Sequence, residues 1–279
     1  MIFRVLNPVR LASVSSDVTA VLLKHRALLA DQVRREIVDQ HAGQVMGGMW
    51  SIIHPMFLMI VYVFVFGVVF EARVGGTREM PLDYTSYILA GLAPWLTIVQ
   101  MLSKSASSLT SNSSLIKQVV FPIEVLPAKA VLSTLLPLFV MLTCFFGYTW
   151  GYKGQFLAGH AMLPLLVVIY LLWALGIGYF LASLTVFVRD VREVVQVFAV
   201  AGVFLIPAIY LPQWVPEIFR PVLYANPFSY IIWCFQDALY FGRFEHPWAW
   251  AVAVGGGVMV YALGARTFRF LKPYFGDHL

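Results

Sequence analysis

Aromatic side chains recur at helical intervals in the first long apolar run of the chain. One set recurs every seven residues and a second set every four: Trp50, Phe57 and Phe64, and Tyr62, Phe66 and Phe70. An aromatic ring presents a flat apolar face with a polarised edge, which can stack on the C–H faces of sugars. Two interpretations stay open, a passage along which a sugar chain slides or ordinary helix packing and lipid contact. The candidate passage residues are Trp50, Phe57, Tyr62, Phe64 and Phe66.

The chain lacks residues for an energy source or a catalytic centre of its own. No Gly-Lys dipeptide occurs, so a phosphate-binding loop of the G-x-x-x-x-G-K-[ST] type is absent. The histidines show no metal-ligand spacing, and a lone histidine such as His54 is more often structural than catalytic. We therefore expect no catalytic residue, no metal site and no cofactor in this chain.

Composition indicates a membrane protein. The chain has 60% hydrophobic and 12% charged residues, whereas a soluble domain has about 45–50% and about 25%. Its net charge of +5 is typical of basic cytoplasmic loops, and we expect no nucleic-acid partner.

Six apolar stretches are predicted to be transmembrane helices, and none contains a charged residue: 49–70, 84–103, 130–148, 162–188, 194–211 and 248–265. The missing charges argue against an ion-coupled carrier, because a charge at the bilayer centre is costly and normally marks function. With the N-terminus inside, 14 of the 19 Lys and Arg residues fall on the inner side. Both termini are therefore predicted to be cytoplasmic.

Residues 17–40 are predicted to form an amphipathic helix at the inner membrane surface, capped by Ser16 or Asp17. The same helix could also dock a partner. Similarly, the charged run from Arg189 to Glu193 is either a solvated turn or a partner contact. The resulting division is an N-terminal segment 1–48, a six-helix permease domain 49–270 and a tail 271–279.

The stretch 212–247 combines five prolines with many aromatics. Proline forbids one long helix there, while Asn226-Pro227 is a good helix start. We predict a helix from Pro227 to about Tyr240, a second short helix within 214–224, and a re-entrant path at the outer membrane surface. The open alternative is an aromatic-belt loop with no mechanical role.

Three segments resemble the permease subunits of type-2 ABC exporters for O-antigen, teichoic acid and capsule. They are Leu115–Pro127, with its Phe121-Pro122 and Glu124; Arg35 to Phe70, with Gly47, Trp50 and Pro55; and Ala225–Tyr230 followed by Asp237-Ala238-Leu239. The sequence departs from the family pattern at residues 40–44, Gln-His-Ala-Gly-Gln, where an Arg-Tyr-Lys-x-Ser segment is common.

The resemblance implies a homodimer in a bacterial inner membrane, with two cytosolic ATPase subunits that bind ATP and Mg. The cargo would be a polysaccharide on a polyprenyl-diphosphate lipid. The candidate ATPase-coupling residues are Arg34, Arg35, Lys117, Phe121, Pro122, Glu124, Arg189 and Asp190. The candidate outer-gate residues are Trp214, Phe219, Tyr224, Phe228, Tyr230 and Trp233. The alternatives are a permease of the same class for a drug or small lipid, and a non-transporting membrane scaffold.

Overall fold

The computed structural model describes residues 8–69, 81–118, 121–154 and 157–279, which are largely helical and contain no β-strand. The α-helices are α1 (Pro8–Lys24), α2 (Arg26–Asp39), α3 (Trp50–Val63), α4 (Tyr84–Ser107), α5 (Ser113–Gln118), α6 (Val125–Leu132), α7 (Leu135–Lys153), α8 (Leu163–Phe187), α9 (Val191–Ala201), α10 (Arg220–Ala225), α11 (Pro227–Gln236), α12 (Pro247–Leu271) and α13 (Phe275–His278). Shorter 3-10 segments are Gly47–Met49, Thr110–Asn112, Ala158–Met162, Gly202–Leu205, Pro212–Trp214, Glu217–Phe219 and Lys272–Tyr274, and π-helical segments are Phe64–Val69 and Asp237–Phe241.

Within the described residues, five helical stretches are long and apolar enough to cross a membrane. They are Gly47–Val69, Tyr84–Ser107, Val125–Gly151, Ala158–Phe187 and Pro247–His278. These five correspond to the first four and the last of the predicted spans, so the all-helical membrane class is confirmed.

The predicted span 194–211 is not one continuous helix. Helix α9 ends at Ala201, and a 3-10 segment continues only to Leu205. Ile206 is extended, with φ −130° and ψ 154°, because the ring of Pro207 disfavours helical geometry in the residue before it. The helical part is roughly 24 Å long, which is shorter than a hydrocarbon core of about 30 Å.

Three ion pairs gather distant segments at one end of the bundle, which we call the ion-paired end. They are Asp17–Arg269 at 2.7 Å, Glu36–Lys129 at 3.2 Å and Glu124–Lys272 at 2.7 Å. Two other contacts define the opposite end: Tyr240 donates to the carbonyl of Leu82 at 2.8 Å, and His160 Nε2 lies 3.3 Å from the carbonyl of Leu239. The N-terminal helices and the C-terminal end of α12 therefore lie at the same end.

The N-terminal segment differs from its prediction in where helix begins and in what covers it. It forms two helices, and the first begins at Pro8, so Ser16 and Asp17 lie inside α1 and the predicted cap is wrong. Val18 is fully buried, in a cluster with Tyr179 and Phe268. A face of α1 therefore packs on the helical bundle itself.

Two glycines allow α8 and α12 to pack backbone to backbone. A Cβ added at Gly264 would lie 1.9 Å from the carbonyl oxygen of Gly176, and one at Gly176 would lie 2.5 Å from Val260. Small residues at such crossings are typical of membrane helices, whose association depends on close van der Waals contact.

The region after residue 211 contains the predicted short helices. Asn226 Oδ1 accepts from the backbone N–H of Phe228 at 3.1 Å, so the predicted cap of α11 is confirmed. The helix continues through Asp237–Phe241 with π geometry and ends at Gly242, whose φ of +67° favours glycine. Arg220–Ala225 forms the second short helix.

Candidate functional site

The two aromatic stripes of the first span face different surroundings. Trp50, Phe57 and Phe64 are exposed, with Phe57 at 64%. Tyr62 and Phe66 pack on the bundle: their rings stack at 6.3 Å, and Phe66 meets the edge of Tyr84 at 6.5 Å. Phe70 lies outside the described residues. Among the described members of the two stripes, those of the seven-residue stripe are therefore the more available for contact with a lipid, a cargo or a second copy of the chain.

The first span as a whole is the least covered of the five. Of its most apolar 18 residues 11% are buried within the chain, against 83% for the second span, Tyr84–Ser107. An apolar helix with so little internal packing exposes a large apolar surface, and contact of that surface with water would be energetically unfavourable. That surface lies against lipid, another subunit or a cargo passage.

Most of the charged candidate coupling residues are exposed. Arg34, Arg35, Lys117, Arg189 and Asp190 all have exposed side chains, and Arg35 pairs with Asp31 within α2 at 3.0 Å. Exposed charges of this kind suit contact with a soluble partner, although the geometry alone is also that of a solvated face.

The remaining candidate coupling residues are built into the chain. Phe121 and Pro122 are half-buried, and Phe121 packs against the cluster that contains Leu126 and Phe268. Glu124 is 2% exposed; its side chain accepts from Lys272 Nζ at 2.7 Å, and its backbone carbonyl accepts from Tyr179 Oη at 2.9 Å. A movement of this segment would therefore be passed on to α8 and α12.

The six candidate gate residues differ in exposure: three are exposed, two are buried and Tyr230 is half-exposed. Trp214, Phe219 and Tyr224 are exposed, and the Trp214 ring lies 5.5 Å from Tyr84. Phe228 is 8% exposed, and its ring packs against Trp95 at 6.1 Å.

Trp233 is buried at the centre of an aromatic cluster. It is 1% exposed and has ring neighbours on three sides, Tyr224 at 5.4 Å, Tyr230 at 5.7 Å and Trp248 at 4.8 Å. The half-exposed Tyr230 donates its hydroxyl to the carbonyl of Tyr224 at 2.7 Å. Trp233 and Tyr230 thus tie α10, α11 and the start of α12 together.

The irregular segment 206–211 is supported by polar side chains from neighbouring helices. Tyr84 donates to the carbonyl of Ile209 at 2.6 Å, and Gln236 donates to that of Pro207 at 2.8 Å. Non-helical backbone at membrane depth is tolerated only where protein groups or water satisfy its polar atoms. Hydrogen bonds from α4 and α11 therefore stabilise the non-helical backbone that interrupts the predicted span.

Asp237 is a buried acidic residue whose environment the sequence did not reveal. It is fully buried, and one carboxylate oxygen accepts from the His246 backbone at 2.9 Å and from Trp250 Nε1 at 2.9 Å. The other lies 2.8 Å from His246 Nδ1. An acidic residue inside an apolar helical stretch normally has specific hydrogen-bond partners, and this pattern in the sequence could have indicated the buried site. Burial raises the pKa of the Tyr240 phenol nearby, which keeps that hydroxyl a neutral donor to Leu82.

Comparison with known proteins identifies the relatives of this arrangement. A family model described as ABC-2 type transporter matches residues 32–240. The chain is 28% identical over 222 residues to the O-antigen export system permease protein RfbA of Myxococcus xanthus, covering 78% of this chain and 82% of that protein. It is 22% identical over 264 residues to a protein of the same name from Klebsiella pneumoniae, covering 90% and 95%.

Proposed function

The chain belongs to the ABC-2 type transporter family, and on that premise we propose that it is the permease subunit of an ATP-driven exporter of O-antigen-like polysaccharide. The observation that carries the proposal is the similarity to O-antigen export permeases over 82–95% of their length. The cargo would cross the bacterial inner membrane attached to a polyprenyl-diphosphate lipid.

The energy would come from two cytosolic ATPase subunits on a homodimer of this chain. Support comes from the exposed charges at Arg34, Arg35, Lys117, Arg189 and Asp190. The ion-paired end would then face the cytoplasm, with both termini inside and with segment 1–48 as the docking part of the permease. Glu124 would act from within the chain, since its side chain is held by Lys272.

The cargo passage would run along the exposed stripe of the first span. Three aromatic faces at Trp50, Phe57 and Phe64 offer stacking surfaces to successive sugars without binding one unit tightly. Tyr62 and Phe66 would hold the helix in place, because both pack on the bundle. A second copy would supply the facing wall.

The helices α10 and α11 would form the outer gate. Trp214, Phe219 and Tyr224 are exposed and would contact the same residues of a second copy. The buried Phe228 and Trp233 would hold these residues in position. The broken segment 206–211 would connect this gate to α9.

Export of surface polysaccharide in a defined strain tests the proposal. The chain and the ATPase subunit encoded with it are expressed in a strain that synthesises a lipid-linked O-antigen but lacks its exporter. We expect O-antigen on the cell surface, and none when either subunit is omitted. Unchanged intracellular accumulation of the polymer, together with efflux of a drug or small lipid, would contradict the polysaccharide assignment.

A further inference from the structure

A cavity lined by both polar and apolar side chains lies at the ion-paired end, where the residues after α2 meet the first three spans. Its volume is about 150 Å³, and six of its lining side chains carry N–H groups that can donate hydrogen bonds: Gln40, His41, Trp50, His54, Gln100 and Lys104. No carboxylate lines it among the described residues. The chemistry of this lining suits an anion.

Lys104 supplies the positive charge of the cavity. Its ammonium group has three N–H donors, and the contact resolved for it is to Ser133 Oγ at 2.9 Å. Ser133 in turn donates to the carbonyl of Ala130 at 2.9 Å, so its oxygen is oriented to accept from Lys104. Glu36 also acts on Lys104, but its carboxylate is engaged by Lys129 at 3.2 Å.

An apolar groove of about 550 Å³ adjoins the cavity, because Ile37 lines both. The groove is walled by Leu29, Val33, Leu132 and Leu135. A ligand that fills both sites has an anionic head and an apolar tail. A soluble anion would leave the groove unused, so the pair of sites favours a lipid.

Trp50 links the cavity to the surface of the first span. Its ring lines the cavity and is also the first member of the exposed stripe that continues to Phe57 and Phe64. A polymer attached to a head group in the cavity would therefore begin next to that aromatic face.

We infer that this cavity binds the phosphoryl head group of a membrane lipid, with Lys104, His54 and the neighbouring amides as donors. In the exporter, the bound group is the diphosphate of the polyprenyl carrier; this identification rests on the proposed function. Phosphoryl oxygens accept several hydrogen bonds at once and pair with a lysine as a point charge.

Direct binding of tritiated undecaprenyl diphosphate to the full-length chain tests the inference. The protein is held in maltoside micelles, which contain no phosphate. Lys104→Gln should weaken binding at least about tenfold, because a hydrogen bond to a charged group is lost. Lys104→Arg should stay close to wild type, since it retains the cation. Lys24→Gln is the matched control, since it removes an exposed lysine of α1 away from the cavity.

Competition separates the two sources of a phosphoryl group. Inorganic pyrophosphate should displace the labelled lipid only at a concentration at least about a hundredfold above that of unlabelled undecaprenyl diphosphate. Equal competition by pyrophosphate would make this a soluble-anion site and overturn the lipid assignment. Wild-type affinity in Lys104→Gln would overturn the site itself.

Two further readouts keep the test decisive. If Lys104→Gln elutes as aggregate, His54→Leu carries the test, with a loss of affinity of about threefold or more expected because leucine has no hydrogen-bond donor. Surface export is measured separately: lipid binding without polysaccharide export would refute the proposed function and leave the site standing. Export without cavity-dependent binding would refute the site alone.

Discussion

Lys272 Nζ lies 2.7 Å from Glu124 Oε1, which joins two residues 148 positions apart in the chain. The two partners are unequally covered: the side chain of Glu124 is 3% exposed and that of Lys272 is 37% exposed. Removing the lysine therefore leaves a buried carboxylate without its partner, whereas removing the glutamate leaves a partly solvated ammonium group.

This asymmetry predicts the order of two single variants. Lys272→Met should lower the free energy of unfolding by about 3 kcal/mol, because it leaves an uncompensated buried charge. Glu124→Gln should cost about 1 kcal/mol, because water reaches the remaining ammonium. Thermal unfolding of the purified protein in detergent measures both, and the double variant should recover part of the Lys272→Met loss. Breaking the exposed Arg35–Asp31 pair by Arg35→Gln is the control and should cost less than about 1 kcal/mol. A larger loss for Glu124→Gln than for Lys272→Met would refute the argument.

A second prediction concerns the crossing of α8 and α12. Gly264→Ala places a methyl group 1.9 Å from the carbonyl oxygen of Gly176, so the helices must separate. We expect a loss of stability of about 2–3 kcal/mol or failure to insert. Gly255→Ala on the same helix is the matched control, because nothing lies within 4 Å of its added Cβ. Similar melting temperatures for the two variants would show that the helices are not packed through Gly264.

A third prediction concerns the buried carboxylate of Asp237. Asp237→Leu removes the acceptor of the His246 backbone and of Trp250 Nε1, leaving two donors unsatisfied at about 1–3 kcal/mol each. Asp237→Asn keeps one oxygen acceptor and should lose less stability. The readouts are the melting temperature and proteolysis between α11 and α12. Equal stability of the two variants would mean that the hydrogen bonds accepted by the Asp237 carboxylate do not stabilise the connection between α11 and α12.

Local sequence signals predicted the features that depend on neighbouring residues. The cap at Asn226 follows from Asn-Pro chemistry, and five long apolar runs became helices because a membrane core requires internally satisfied backbone. Asp17 is not a cap because the helix already begins at Pro8, and its carboxylate accepts from Arg269, 252 residues away. No pattern within α1 contains that information.

The span over residues 194–211 failed for a similar reason. The stretch is uncharged and almost entirely apolar, but Pro207 ends helical geometry at Ile206. The irregular backbone is then stabilised by Tyr84 and Gln236, from helices distant in sequence. Among the candidate gate residues, sequence alone also could not distinguish the exposed Trp214 from the buried Trp233, since both lie in an aromatic-rich stretch.

A fourth prediction is the sidedness of the bundle. The exposed residue Gln213 lies in the segment proposed as the outer gate, and the exposed residue Ser111 lies in the loop before the third span. A Gln213→Cys variant should react with an impermeant maleimide added to intact spheroplasts, and Ser111→Cys should react only after lysis. The wild-type protein is the background control, because it contains both native cysteines: Cys144 is half-buried within the third span, and Cys234 is buried, which raises the pKa of its thiol. The reverse labelling pattern would invert the topology.

The last prediction concerns the outer gate, where exposure separates two roles. The exposed rings of Trp214 and Phe219 have the freedom to meet a second copy, whereas Trp233 is enclosed by its own chain. Trp214→Ala with Phe219→Ala should therefore lower the melting temperature less than Trp233→Ala does, because each exposed ring has a smaller buried fraction than Trp233. Trp233→Ala should lower stability by about 3–5 kcal/mol, as for other buried aromatics.

The effect on ion leak should be larger for the two exposed residues, Trp214 and Phe219, than their effect on stability suggests. A passage wide enough for a sugar chain would conduct ions when open, driven by about 2.3 kcal/mol per charge per 100 mV. The double variant Trp214→Ala/Phe219→Ala, assembled with its ATPase in proteoliposomes, should dissipate an imposed membrane potential faster than wild type. Trp150→Ala is the control, since Trp150 is an exposed tryptophan near the end of α7 and outside the gate. Cysteines at position 214 of the two copies should also crosslink in the absence of ATP. Only a closed gate brings the two copies of this segment together. If the double variant retains the membrane potential normally and no crosslink forms, the exposed aromatic residues are anchors in the lipid head-group region and the gate assignment is wrong.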